Sequence, residues 1–293
     1  MSQNTGRLSR EAMYYSKAGD GKTICALCPR MCALMPGSTG ACMARMNEAG
    51  TLYSMNYAKV TSVSLDPIEK KPLRRFYPGS MILSVGSFGC NFSCPYCQNY
   101  GISQSTPQTL AMAPGALVRR ALAAKNSGNI GLAFTYNEPI VCYEFVRETS
   151  EQAYDGGLLN VLVTNGYINP EPLNELLPFI AALNIDLKGS EAFYKEMCGG
   201  NRRTVLRSIE AAYAAGCHVE VTNLLVTGWN DNQSAVKEIA GAIASISDEI
   251  PLHLSRFFPR HNMQGVLPTD SEFVHDAVKI AGAHLKYVYP GNV

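Results

Sequence analysis

The chain has 293 residues, of which 46% are hydrophobic and 17% charged; a large core can be buried, and wholesale disorder is excluded. Lys and Arg number 25 against 24 Asp and Glu, so the net charge of +1 excludes a broad field for gathering nucleic acid or anionic membrane. No run approaches the roughly 18 apolar residues of a membrane span. The polar N-terminus over 1–22 lacks the apolar core of a signal peptide, so a cytoplasmic location with reduced thiols is expected.

Residues 1–80 hold four Cys and much Met and Gly without a strong period, and the stretch Asp66-Pro-Ile-Glu-Lys-Lys-Pro72 reads as a structured loop. From residue 81 apolar, β-branched runs alternate with amphipathic ones. Strands are predicted at 81–89, 130–136, 160–166, 184–189, 218–228, 250–258 and, at the end, 285–291. Helices are predicted at 114–128, where Pro114 opens the first turn, and at 140–157, 170–183, 204–216, 232–246 and 271–283. This alternation is the pattern of a parallel sheet built from βαβ crossovers. Six or seven units in about 210 residues fall short of the ~250 of a full eight-unit barrel. The expected fold is therefore α/β: a partial (β/α)6 TIM-like barrel over 81–293, with a small Cys-rich metal-binding extension over 1–80. A doubly wound open sheet is the second reading.

Chemistry on a parallel barrel belongs at the C-terminal ends of its strands. Polar residues gather there: Thr135-Tyr-Asn-Glu138, Thr164-Asn165, Asp186-Leu-Lys188, Thr222-Asn223, and His253 to Phe257. After the first strand comes Cys90-Asn-Phe-Ser-Cys-Pro-Tyr-Cys97. Clustered Cys in a reducing compartment read as metal ligands. A [4Fe–4S] cluster normally takes four Cys, so three on one loop leave one iron open for chemistry. Cys142, Cys198 and Cys217 stand alone in helix- or strand-like sequence and read as ordinary buried side chains.

The Cys-x3-Cys-x2-Cys run after the first strand of a partial barrel, with Tyr96 just before the third Cys, resembles the radical S-adenosylmethionine (SAM) superfamily. That resemblance implies a [4Fe–4S] cluster on Cys90, Cys94 and Cys97 with SAM chelated to its open iron. Reductive cleavage would then yield a 5′-deoxyadenosyl radical that abstracts hydrogen. It also implies a flavodoxin- or ferredoxin-type electron donor. By position, Tyr96 would pack on the adenine, and Asn137-Glu138 stand at the segment that holds the SAM amino group. Thr164 and Asn165 match a segment near the ribose. Asp186 and Lys188 match the Asp-Leu-Lys of pyruvate formate-lyase activases, where the Lys meets the SAM carboxylate. His253 and Arg256 end the sixth strand and read as cavity lining, with a satisfied core histidine as the alternative for His253.

A second group, Cys25, Cys28, Cys32 and Cys42, closes a four-thiolate site within eighteen residues. Zinc is the first reading, because full ligation of so short a segment serves folding without redox chemistry; a second [4Fe–4S] cluster has the same three-plus-one arrangement. With the Asp66–Pro72 segment, Gln98-Asn99 and the closing Tyr287-Val-Tyr-Pro-Gly-Asn-Val293, this block is similar to the radical SAM component of the AmmeMemoRadiSam system, close to the glycyl-radical activases. The resemblance implies a radical SAM oxidoreductase, with a backbone glycine of a partner glycyl-radical enzyme as the first acceptor. Another partner protein or a small metabolite of the same system is the alternative. From a different class, a non-enzymatic metal-binding adaptor predicts no SAM cleavage. The near-zero charge and the lack of a basic-aromatic stripe argue against nucleic acid.

Overall fold

A computed structural model describes residues 10–293; the first nine residues of the polar N-terminus lie outside the described residues. One eight-stranded sheet organises the chain. We label its strands β1 (Ser62–Pro67), β2 (Met81–Gly86), β3 (Asn129–Phe134), β4 (Leu159–Thr164), β5 (Ala182–Asp186), β6 (His218–Leu225), β7 (Leu252–Arg256) and β8 (Val288–Gly291). The order across the sheet follows the chain, each strand beside its successor. Strands β2 to β8 run parallel, and β1 pairs antiparallel with β2. Six helices form the crossovers: α1 (Pro114–Ala123), α2 (Tyr143–Asp155), α3 (Pro170–Leu176), α4 (Arg202–Ala214), α5 (Gln233–Ala244) and α6 (Ser271–Gly282). This is the expected (β/α)6 arrangement with a seventh parallel strand. The sheet begins at Ser62, ahead of the boundary after residue 80 that the sequence reading drew, because β1 belongs to it.

Local chemistry sets the element ends. Pro114 fills a first-turn position of α1, where its missing N–H is no loss. The side chains of Asn201 and Asn232 accept from the N–H groups of Thr204 and Ala235, capping α4 and α5 at about 1 kcal/mol each. At the β3 bulge Gly131 is obligatory: a Cβ there would lie 1.8 Å from the Leu159 carbonyl oxygen.

The floor of the barrel is filled by the loop between β1 and β2. Its Ile68, Leu73 and Phe76 pack against Ile82, Ala133, Val161 and Ala182 of the strands. Two of those four strand residues are alanines, which leaves room for the inserted side chains. The loop backbone is also held. Glu220 on β6 accepts from the N–H groups of Arg74 (3.0 Å) and Arg75 (2.7 Å), and Asn184 on β5 donates to the Pro72 carbonyl (2.9 Å). The loop read from sequence at 66–72 is thus the start of a plug that closes the N-terminal mouth.

The N-terminal extension contains two small antiparallel sheets, one of Arg10–Glu11, Arg45–Glu48 and Thr51–Ser54, the other of Tyr15–Lys17, Thr23–Cys25 and Ala33–Leu34. Its Leu27, Leu34 and Leu52 join the same apolar cluster as the barrel. Buried Arg45 pairs with buried Glu144 on α2 and donates to the Met13 carbonyl at 2.8 Å. Removing one partner of such a pair costs about 3–5 kcal/mol, so this contact fastens the extension to the barrel.

Candidate active site

Above the plug, at the C-terminal ends of the strands, lies a cavity of about 390 Å³. Cys90, Cys94 and Cys97 line it from the loop after β2. Tyr96, Asn137, Glu138, Thr164, Asn165, Asp186 and Lys188 line it from that loop and from the ends of β3, β4 and β5. Residues that are distant in sequence converge because parallel strands all end on one rim.

Glu138 is 4% exposed and is held by three donors: the Thr164 hydroxyl (2.6 Å), the Asn165 N–H (2.7 Å) and the Ile140 N–H (3.0 Å). Burial pushes its pKa up and outweighs these hydrogen bonds, leaving it at about 7. No Lys, Arg or His pairs with it among the ion pairs of the described residues. Lys188 pairs with Asp186 at 2.8 Å; being two apart on the strand and its extension, they point the same way. Burial lowers the Lys188 pKa, but the neighbouring Asp186 and Cys94 raise it further, so it carries its charge.

The cysteine loop is held from below. The Asn165 amide donates to Asn91 Oδ1 at 2.8 Å and approaches Cys90 Sγ at 3.7 Å, and the Asn91 amide donates to the Tyr167 carbonyl at 2.7 Å. Asn137, expected at the SAM amino group, spends its amide on the Gly89 carbonyl (3.1 Å) and accepts from the Ser87 N–H (2.8 Å). Its polar atoms join two strand ends rather than face a ligand.

Two expected cavity residues are elsewhere. His253 lies a layer lower, bonded to Glu220 Oε2 at 2.6 Å, and is the satisfied core histidine of the alternative reading. Arg256 turns to the loop before α6, where it donates to the Thr269 carbonyl at 2.7 Å and its guanidinium lies over Phe258. Ser255, between them on the strand, lines the cavity. Along β7 the period of two puts His253 and Ser255 on one face, a layer apart, and Arg256 on the other.

Sequence reasoning missed part of the wall. Lys70 and Lys71 reach the cavity from the plug, and Tyr136, noted at its strand end without a role, from the end of β3. Lys71 pairs with Asp66 at 2.8 Å, and the Tyr136 hydroxyl donates to the same carboxylate at 2.7 Å. The density of charge in Asp66–Pro72 was the available signal. Cys142 and Cys217 are ordinary buried thiols facing backbone carbonyls. Cys198 is buried too, but it neighbours Cys94 and lies 3.7 Å from the Tyr96 hydroxyl. The hydrogen bond to Cys198 leads the causes that hold the Cys94 thiol below its usual range.

The second group also assembles: Cys25, Cys28, Cys32 and Cys42 line one narrow cavity in the extension. Among the described residues, no three Cys, His, Asp or Glu side chains converge as the ligands of a single ion. No helix of the described residues is long and apolar enough to cross a membrane.

The rim suits a three-thiolate cluster with SAM. Three thiols from one loop share a cavity with an uncompensated buried carboxylate that matches an ammonium, and with a charged Lys that matches a carboxylate. The comparisons with known proteins agree. The radical SAM superfamily model matches residues 84–243. An uncharacterized protein of Methanocaldococcus jannaschii is 43% identical over 292 residues, covering 97% of this chain and 85% of that one. The 4-hydroxyphenylacetate decarboxylase activating enzyme of Clostridium scatologenes is 27% identical over 105 residues, 35% of this chain and 34% of that enzyme. A radical SAM methyltransferase from Sphaerobacter thermophilus shares the fold, with a TM-score of 0.56 at 18% identity over 73% of this chain and 67% of that one. The chain belongs to the radical SAM superfamily.

Proposed function

We propose that the protein reductively cleaves SAM at a [4Fe–4S] cluster held by Cys90, Cys94 and Cys97, and that it is activase-like, acting on a backbone glycine of a partner enzyme. The observation that carries the first part is the shared cavity of the three thiols, Glu138 and Lys188. When bound, the cluster and SAM supply a 5′-deoxyadenosyl radical; the chain's own residues bind, orient and exclude water. Glu138 would receive the SAM ammonium, which replaces the cation its burial lacks. Lys188, held upright by Asp186, would receive the carboxylate. Tyr96, 5% exposed within the cysteine loop, would offer its ring to the adenine, and Thr164 and Asn165 would meet the ribose. The plug fills the barrel from below, and its Lys70 and Lys71 form part of the cavity wall.

The partial similarity to an activating enzyme supports the activase-like reading. A second reading, an anionic small metabolite or another partner protein of the AmmeMemoRadiSam system, draws on the Lys70 ammonium, whose side chain is 66% exposed at the cavity. Anaerobic incubation with dithionite and SAM is expected to release 5′-deoxyadenosine and methionine. Their absence would sink the enzyme reading and leave the metal-binding adaptor. A doublet glycyl EPR signal in a candidate partner, with a flavodoxin- or ferredoxin-type donor, tests the acceptor. The extension's four cysteines are proposed as a second metal centre.

A further inference from the structure

Past Lys188 the chain makes a short helical turn, Glu191–Phe193, that widens into a π-helical turn over Tyr194–Cys198. There the Gly199 N–H donates to the Tyr194 carbonyl at 2.8 Å. Wide turns of this kind are rare and concentrate at functional sites. This one is anchored at three points. The Ser190 hydroxyl accepts from the Phe193 N–H at 3.3 Å and caps its start. The hydroxyl of buried Tyr194 accepts from the Lys188 N–H (3.0 Å) and donates to the Asp186 carbonyl (3.2 Å). At its end the Cys198 carbonyl accepts from the Ser93 N–H of the cysteine loop at 3.2 Å.

Phe193, 3% exposed, lies between two other rings. Its centroid is 6.0 Å from that of Tyr96, at an interplanar angle of 52°, and 6.0 Å from that of Trp229, at 86°. The ring sits so close to the backbone after Lys188 that a Cβ at Gly189 would lie 2.6 Å from its Cγ. The glycine that follows Asp186-Leu-Lys188 therefore admits Phe193. Trp229, the single tryptophan of the chain, is 41% exposed on the loop after β6. Buried Asn230 bolts that loop inward, its amide donating to the carbonyls of Lys188 and Leu224 at 2.9 Å each.

The Tyr96 hydroxyl lies 3.7 Å from Cys198 Sγ. That contact does not set the plane of the ring, because a phenol oxygen lies on the axis about which the ring turns, and this terminal torsion is broad. A neighbour at the side of the ring sets the plane, and among the described residues Phe193 is the one aromatic ring packed there. We propose that Phe193 is a positioning residue: backed by Trp229, it fixes the plane of the Tyr96 ring and thereby the affinity of the site for the nucleoside end of SAM. The proposal rests on the radical SAM reading, in which Tyr96 meets the adenine. The amino-acid end is set by other contacts, Glu138 by Thr164 and two backbone N–H groups, and Lys188 by Asp186 and Tyr194.

The test titrates the anaerobically reconstituted full chain by calorimetry with SAM, with 5′-deoxyadenosine and with methionine. Phe193→Leu keeps an apolar side chain and removes the ring. It is expected to bind SAM and 5′-deoxyadenosine about 3- to 10-fold more weakly, the range of one aromatic pair, and methionine as wild type does. Its KM for SAM should rise with kcat unchanged. Trp229→Leu, at a partly exposed position, should weaken the same two ligands about twofold, and it carries the test if Phe193→Leu fails to fold. Unchanged affinity for SAM and the nucleoside overturns the proposal. So does an equal loss for methionine, which would mean damage to the whole site. Wild-type protein that binds no SAM would overturn the proposed function and this inference with it, whereas wild-type binding with unaffected variants removes this inference alone.

Discussion

Two buried glutamates in one barrel have been sent in opposite directions. Glu138, at the rim, accepts only from a hydroxyl and two backbone N–H groups, and burial lifts its pKa to about 7. Glu220, in the floor, is fully buried; burial alone would raise it, but the hydrogen bonds from His218, His253 and the N–H groups of Arg75 and Arg74 prevail and hold it down at about 2. The floor carboxylate is satisfied within the chain and serves the fold. The rim carboxylate is not, and its missing cation is the space for a ligand. Buried polar groups that stay incompletely compensated mark functional sites.

The largest expected effect tests whether the rim depends on the cysteine loop at all. Cys94→Ala should abolish the reducible cluster and bring 5′-deoxyadenosine formation below detection, with the protein still soluble. Retained cleavage would refute the ligand assignment.

Next is the rim glutamate. Glu138→Gln keeps the shape and removes the charge. A charge-assisted hydrogen bond worth about 1.5–3 kcal/mol predicts a loss of SAM affinity of roughly 10- to 100-fold. It would be read from the SAM-induced change in the cluster's EPR signal. The same variant should gain stability at alkaline pH. A pKa raised from 4.5 to about 7 means that ionisation opposes folding, a cost that grows as pH rises from 4.5 through 7 and stays thereafter. Thermal unfolding of metal-free protein should therefore show Glu138→Gln, whose NH2 must face one of the N–H donors, below wild type near pH 4.5 and gaining on it as pH rises to 8. Equal affinity for SAM would break the contrast between the two glutamates.

Much of this rim was open to sequence reasoning, and the floor was not. The rim residues sit at strand ends, which the alternation of β-branched runs and helices located, and their types follow from the chemistry. The plug has no period to detect: Ile68, Leu73 and Phe76 are irregularly spaced among charges, and only the barrel around them makes them core. Glu220 and His253 lie 33 residues apart, and their contact depends on the β6–β7 register. Cys198 meets Cys94 because Gly199, in the left-handed region at φ +73°, turns the chain back against the cysteine loop, where the Ser93 N–H donates to the Cys198 carbonyl. The fold class was carried by pattern, whereas these contacts are carried by tertiary geometry.

The floor glutamate should behave oppositely in pH. A pKa lowered from 4.5 to about 2 contributes stability that is present above 4.5 and lost as pH falls toward 2, about 3 kcal/mol in all. Glu220→Ala should cost about 3–5 kcal/mol in denaturant unfolding at pH 7, since it strands two imidazoles and two backbone N–H groups. That deficit should shrink below pH 4. A deficit independent of pH would mean that the charge of Glu220 does not hold the plug.

The smallest expected effect separates the two readings of His253. If it only serves the floor, a glutamine can replace it, because the amide donates to Glu220 much as the imidazole Nε2 does. Three other donors to that carboxylate remain: His218 and the N–H groups of Arg74 and Arg75. His253→Gln should therefore cost about 1 kcal/mol of stability, one ordinary hydrogen bond's worth, and leave both SAM affinity and 5′-deoxyadenosine yield at wild-type values. A fall in yield without a fall in stability would place the imidazole's influence at the rim instead. It would mean that the layer between Glu220 and the cavity transmits more than this packing indicates, with Thr222, which lines the cavity and pairs in register with His253, as the residue through which it passes.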